Sequence, residues 1–172
     1  MRTSRAALWP GWATKAKTVP VKTRSRCVSV TSRPLRSSRT TAVATRWRQQ
    51  FAENGKLLAH SATVPEHNHN EIVGWQVRGP VTERIAVLVL RDGEDSAAVN
   101  ARLDLTAEYA ARQGATVHTV HSKGTSRLAR LASLVQFGDA LSLYLALLGG
   151  ADPTDITSID TFKRRLAERA AR

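Results

Sequence analysis

Residues 84–90, Arg84-Ile85-Ala86-Val87-Leu88-Val89-Leu90, form an apolar run without polar alternation. A strand with one face in water alternates, so an unbroken run points to a strand covered on both faces, as in a parallel sheet between helices. Asp92 and Gly93 end it, and Asp95 or Ser96 is placed to cap a helix that runs to Arg112 and stops at Gly114. Ala115–His121 reads as a second strand, and Lys123-Gly124-Thr125-Ser126 leads into a long apolar helix over 128–148, closed by Gly149 and Gly150. Strand, helix, strand, helix with short turns is a βαβα unit, hence an α/β layered domain with a parallel sheet.

Upstream, Thr40 or Thr41 can cap a helix whose apolar positions Val43, Trp47 and Phe51 recur every four residues, ending near Gly55. Residues 57–83 read mostly as loop, marked by Pro65, Asn68, Asn70, Gly79 and Pro80. A final amphipathic helix begins at Ile156 or Thr157, with Ile159, Phe162 and Leu166 on one face. The apolar stretch 128–148 is long enough to raise a membrane question, but Arg130, Gln136, Gly138 and Asp139 favour a buried or half-buried helix.

Charge divides the chain. Residues 1–48 hold 12 of the 26 basic residues and none of the 14 acidic ones, so the formal excess of +12 belongs to that stretch and the remainder is balanced. The overall basicity is therefore no argument for nucleic-acid binding by the folded part. Residues 1–39, rich in Arg, Ser, Thr and Pro, have one β-like run, Arg26–Val30, and read as a poorly ordered basic leader. Three origins stay open for it: a misframed start, a basic tail binding phosphate-rich polymers non-specifically, or a transit-like segment. Cys27 is the single cysteine, which excludes an internal disulfide and a multi-thiolate metal site.

Five segments then carry a resemblance. They are Arg46-Trp47-Arg48-Gln49-Gln50-Phe51-Ala52-Glu53-Asn54-Gly55-Lys56, Pro65-Glu66-His67-Asn68-His69-Asn70-Glu71-Ile72-Val73-Gly74-Trp75, Gly138-Asp139-Ala140-Leu141-Ser142-Leu143-Tyr144-Leu145-Ala146, Ala151-Asp152-Pro153-Thr154 and Ile159-Asp160-Thr161-Phe162-Lys163. In this order they resemble the C-terminal half of the bacterial and archaeal bifunctional phosphoglucose/phosphomannose isomerases. That resemblance implies a three-layer sugar isomerase (SIS) sandwich over residues 40–172 and a cytoplasmic homodimer acting on a phosphorylated hexose. It implies Glu53 as the general base, His69 as the ring-opening histidine reaching across the dimer, and Lys163 as a lysine lining the site. It implies no metal, no organic cofactor and no membrane.

These residue types suit aldose–ketose isomerisation. Imidazole titrates near neutrality and serves as acid or base at the ring oxygen. A partly desolvated carboxylate can move a proton between C2 and C1, and a nearby ammonium can stabilise the oxyanion of the enediolate. His60, His67 and His69 are clustered, but their spacings fit no helical zinc pattern. Glu71 reads as a hydrogen-bonding partner rather than a second base. Asp139 and Tyr144 read as satisfied core or interface groups, and Lys123–Ser126 reads equally as an anion site at a helix N-terminus or as a simple helix cap. The family's first SIS domain, which supplies its phosphate-binding serine/threonine loops, has no counterpart here, so little or no activity is expected of the chain alone. The alternative is a non-catalytic sugar-phosphate-binding or dimerisation module.

Overall fold

The apolar run becomes β3 (Ile85–Arg91), and its side chains part by alternation. Val87 and Val89 enter one core with Val64, Trp75, Leu103, Ala110 and Ala115, whereas Leu88 and Leu90 enter the other with Val43, Ala44, Trp47, Phe51 and Leu134. The computed structural model describes residues 26–32, 39–76 and 79–171.

β3 lies in a four-stranded parallel sheet with β1 (Arg26–Ser32), β2 (Ala59–Val64) and β4 (Thr116–His121), in the order β2-β1-β3-β4. α1 (Arg39–Glu53) and α3 (Arg127–Leu148) pack together on one side, and α2 (Ala97–Arg112) covers the other. This is the three-layer sandwich that the apolar run predicts. α4 (Thr157–Ala170) follows the loop after Gly150 and buries no residue. Its Phe162 and Leu166 are exposed, so the apolar face read from the sequence exists but is uncovered in this chain.

Local chemistry fixes the boundaries. Ser96 caps α2 and Ser126 caps α3, their hydroxyls accepting from the backbone N–H of Val99 and Ala129 at 3.3 and 3.2 Å. Ser126 thus gives Lys123–Ser126 the helix cap that is one of its two readings. Gly114 takes φ +92° after α2, the left-handed conformation that glycine adopts without strain.

Two strands differ from the sequence expectation. β2 runs through the segment read as loop, because Ala59-His60-Ser61-Ala62-Thr63-Val64 is an edge strand of small and polar residues with few apolar positions. β1 falls inside the segment assigned to the leader, yet it pairs with β2 from Cys27↔Ala59 to Ser32↔Val64 and with β3 from Arg26↔Ile85 to Thr31↔Leu90. The β-like run Arg26–Val30 is a strand, two residues longer than read, whose β-branched members suit pairing with two neighbours; the composition of the surrounding 39 residues argues for poor order. The folded unit thus starts before residue 40. The rest of the expected leader, residues 1–25 and 33–38, lies outside the described residues.

Candidate functional site

Most of the motif residues build one joint between α1 and α3. Trp47 is fully buried and its indole N–H donates to the Leu134 carbonyl at 2.9 Å. Arg46 grips Asp139 with two hydrogen bonds, Nε to Oδ1 at 3.0 Å and Nη2 to Oδ2 at 2.8 Å, and this pairing holds the guanidinium pKa above its usual value. Asn54 donates to Gln50 Oε1 and to the hydroxyl of buried Ser142, both at 2.9 Å. Asp139 is thus the satisfied polar group expected, whereas Tyr144 is 64% exposed and faces outward.

Glu53 is the last residue of α1 and is exposed. Asn54 braces the helix end to α3 on one side. On the other, Lys56 Nζ donates to the backbone carbonyls of Glu53 at 2.6 Å and Asp155 at 2.5 Å, tying the end of α1 to the loop that enters α4. Lys56 holds φ +54°, a left-handed conformation that turns the chain from α1 toward β2. Lys163 lies one and a half turns into α4, exposed. The brace therefore anchors the start of the helix carrying Lys163 to the backbone of Glu53.

His69 belongs to the other layer. After β2 the chain turns through short 3-10 segments, Glu66–Asn68 and Glu71–Gln76. Asn68 Nδ2 donates to Thr106 Oγ1 of α2 at 2.7 Å, and Trp75 enters the α2-side core. Glu53 and His69 thus sit in layers separated by the sheet, and no hydrogen bond or ion pair joins Glu53, His69 and Lys163 among the described residues. One chain does not bring the three together.

The histidine cluster divides as well. His60 Nε2 lies 2.9 Å from Glu71 Oε2, and His67 Nδ1 lies 3.5 Å from the same oxygen. Glu71 is thus a hydrogen-bonding partner, as its sequence position suggests. Burial lowers the His67 pKa, with the Glu71 carboxylate opposing that shift. Among the described residues no group of three His, Cys, Asp or Glu is arranged to hold a metal ion.

Sequence reasoning gave no role to Asn54, Lys56 or His67. The first two stand in the quoted Glu-Asn-x-Lys segment, where their spacing from Glu53 was the available signal. His67 offered none, since a histidine in a polar loop segment reads as solvated.

At the carboxyl ends of β3 and β4, Asp92 accepts from Ser122 Oγ at 2.6 Å and Arg130 Nε at 2.7 Å. Burial raises the Asp92 pKa, but these hydrogen bonds outweigh it and leave the carboxyl below its usual value. Glu94 accepts from Arg127 and pairs with Arg130 Nη2 at 2.5 Å. The cations here are thus already neutralised. α3 is the one helix among the described residues long and apolar enough to cross a membrane by length and composition. It also carries the buried stripe Leu134, Gly138, Ser142 and Ala146 against the α1 layer, which a core helix requires.

Comparison with known proteins agrees with this architecture. The fold is similar to the crystal structure of a glucose-6-phosphate isomerase like protein from Thermus thermophilus (TM-score 0.58, 21% identity, covering 81% of this chain and 43% of that one). It is also similar to a hypothetical protein from the same organism (TM-score 0.67, 14% identity, 85% and 41%). In sequence the chain is 39% identical over 132 residues to the bifunctional phosphoglucose/phosphomannose isomerase of Caldicellulosiruptor bescii, covering 77% of this chain and 39% of that protein. The proteins of the same description from Aquifex aeolicus (33%) and Thermoplasma volcanium (36%) are each covered to 41%. The chain spans about two fifths of the length of these relatives. Residues 14–166 match the bacterial phospho-glucose isomerase C-terminal SIS domain, and the chain belongs to that family.

Proposed function

We propose that this chain is the C-terminal part of a sugar-phosphate aldose–ketose isomerase that interconverts glucose 6-phosphate or mannose 6-phosphate with fructose 6-phosphate in the cytoplasm. Glu53 is the base. It takes the C2 proton of the open-chain aldose, leaving an enediolate with its charge on the C1 oxygen, and returns that proton to C1 as the 2-hydroxyl proton passes to the C1 oxygen and C2 becomes the ketone. One carboxylate serves both aldoses because they differ only in configuration at C2. His69 moves the proton between ring oxygen and anomeric hydroxyl that opens the ring. Lys163 stabilises the oxyanion that develops in between.

The observation that carries this reading is the state of Glu53. It stands at a helix end braced on two sides, by Asn54 on Ser142 and by Lys56 on Asp155, with its carboxylate bonded to no described residue. A rigid support under an uncommitted carboxylate is what proton abstraction requires. The separation of Glu53 from His69 is accommodated by a homodimer in which a second copy supplies His69. The outer face of α3, where Leu143, Tyr144, Leu147 and Leu148 are exposed, is an apolar surface suited to such a contact.

Among the described residues no phosphate cradle is evident around Glu53, so the chain alone is expected to turn over little or no substrate. The test is a coupled assay with fructose 6-phosphate, on the chain alone and on the chain co-expressed with the amino-terminal part of the C. bescii relative. The proposal expects turnover of about 1 s⁻¹ or more from the pair. If the pair is inactive while the chain binds fructose 6-phosphate calorimetrically, the non-catalytic binding module is the better reading.

A further inference from the structure

Little holds α4 to the rest of the fold. None of its residues is buried, and it follows α3 through a loop that opens on Gly149 and Gly150, the latter at φ +68°. A helix of this length is marginal in water without packing. Among the described residues, one hydrogen bond or ion pair reaches residues 152–170 from the layers of the sandwich: Lys56 Nζ donates to the Asp155 carbonyl at 2.5 Å. Asp155 also starts the helix, its carboxylate accepting from the Thr157 N–H at 2.9 Å and hydroxyl at 2.6 Å. The residue that Lys56 holds by its backbone is thus the residue that opens α4.

The other bond of the same ammonium goes to the Glu53 carbonyl at 2.6 Å, one of the carbonyls that the end of α1 leaves without an intrahelical partner. Lys56 itself holds φ +54°, a region that glycine enters without strain and other residues seldom occupy. A lysine there keeps what glycine lacks, a side chain long enough to bridge two elements. A lysine at a helix end can serve as a cap and nothing more. Here its second bond spans 99 residues and joins the helix of Glu53 to the helix of Lys163.

We propose that Lys56 is a positioning residue: by holding Asp155 against the end of α1, it fixes where α4 presents Lys163 relative to Glu53. This inference rests on the isomerase reading. Lys56 holds the two helices together and takes no proton from the substrate. Without it, α4 turns about the loop after Gly150, and the cation that stabilises the enediolate is no longer held in place for the base.

The test has two arms. On the whole chain, amide exchange read by mass spectrometry should quicken at least about tenfold over residues 157–170 in Lys56→Met and Lys56→Gly, and stay unchanged over β3 and α2. Lys56→Gly keeps the turn free of strain, so it decides this arm if Lys56→Met fails to fold. Lys56→Arg, which can still donate to both carbonyls, should restore protection. In the assembly co-expressed with the amino-terminal part of the C. bescii relative, either loss of the ammonium should lower kcat with fructose 6-phosphate about tenfold with KM little changed, and Lys56→Arg should recover it. Lys163→Met should then cost several-fold less beside Lys56→Gly than in the otherwise unchanged chain, since Lys163 is already displaced. Unchanged exchange in α4 would overturn the proposal and leave Lys56 a cap of α1. So would losses at Lys56 and Lys163 that multiply independently in an assembly active without them. An assembly inactive with both lysines in place would instead overturn the isomerase reading, and the role of Lys56 in that site with it.

Discussion

A β-carbon placed on Gly138 of α3 would stand 2.1 Å from Nε1 of Trp47 on α1. The two helices therefore meet where one has no side chain and the other has its largest. With the Trp47–Leu134 hydrogen bond, this contact sets the spacing of the layer that carries Glu53. Gly138→Ala is expected to destabilise the fold despite improving helix propensity, because rigid backbone and a buried indole leave nothing to yield. A loss of about 2–3 kcal/mol in urea unfolding, followed by tryptophan fluorescence, is the expected outcome. A neutral or stabilising substitution would show that α1 and α3 are not packed this closely.

Ser142 supports Asn54 next to the proposed base. Its hydroxyl donates to the Asp139 carbonyl at 2.6 Å while accepting from Asn54 at 2.9 Å. Ser142→Ala keeps the volume close and removes the acceptor, at a cost of about 1–2 kcal/mol. Asn54→Leu should cost less than that when combined with Ser142→Ala than by itself, since the pair is then already broken. Additive losses in the double variant would deny the coupling.

How far these features can be read from sequence depends on where the information lies. Leu88 and Leu90 against Val87 and Val89 announced a two-faced strand, because full burial removes polar alternation and leaves a mark on consecutive residues. The caps at Ser96 and Ser126 were legible because capping is local. β1 was legible in part, as the β-like run Arg26–Val30, but β2 was not: His60-Ser61-Ala62 becomes a strand through pairing with a distant partner, which no local pattern records. The same holds for the site. Glu53 could be picked out by its motif, but its bracing through Lys56 and Asp155 spans 99 residues, and the burial of His67 depends on tertiary packing.

His67 also sets a pH dependence. Burial holds its pKa below the ordinary 6.5, so over the interval between the two values the unfolded chain binds the proton that the folded chain refuses. Stability from this group is complete above about pH 6.5, falls as pH drops toward the folded pKa and levels below it, with a slope of at most about 1.4 kcal/mol per pH unit. Asp92 also has a lowered pKa, so its contribution is lost at more acid pH, below the ordinary 3.8, and does not overlap. Urea midpoints measured from about pH 7.5 to 5 should fall for the wild type by more than for His67→Leu, which lacks the titrating imidazole. Parallel curves would mean that His67 is not the titrating group.

The outer face of α3 predicts association. Leu143, Tyr144, Leu147 and Leu148 are 46–71% exposed, and Ile159, Phe162 and Leu166 of α4 are uncovered as well. Light scattering on the full chain should find a dimer or larger species at micromolar concentration. Leu143→Glu with Leu147→Glu should shift it to monomer without altering the circular dichroism of the fold. A monomeric wild type would remove the second copy that the separation of Glu53 from His69 calls for.

The proposed chemistry makes its sharpest claim at Glu53. In the co-expressed assembly, Glu53→Gln keeps the shape and the braces to Ser142 and Asp155 but removes the base, so kcat should fall by about 10²–10⁴ with KM little changed. His69→Asn should depress turnover of the closed-ring sugar more than that of an open-chain analogue, since it acts before Glu53. Because the two residues lie in different layers of one chain, mixing Glu53→Gln subunits with His69→Asn subunits should restore part of the activity if His69 crosses a dimer interface: a random dimer of the two then holds one intact site. No recovery on mixing, with exchange of subunits verified, would mean that the imidazole and the carboxylate never share a site, and the isomerase mechanism proposed for this chain would fail with it.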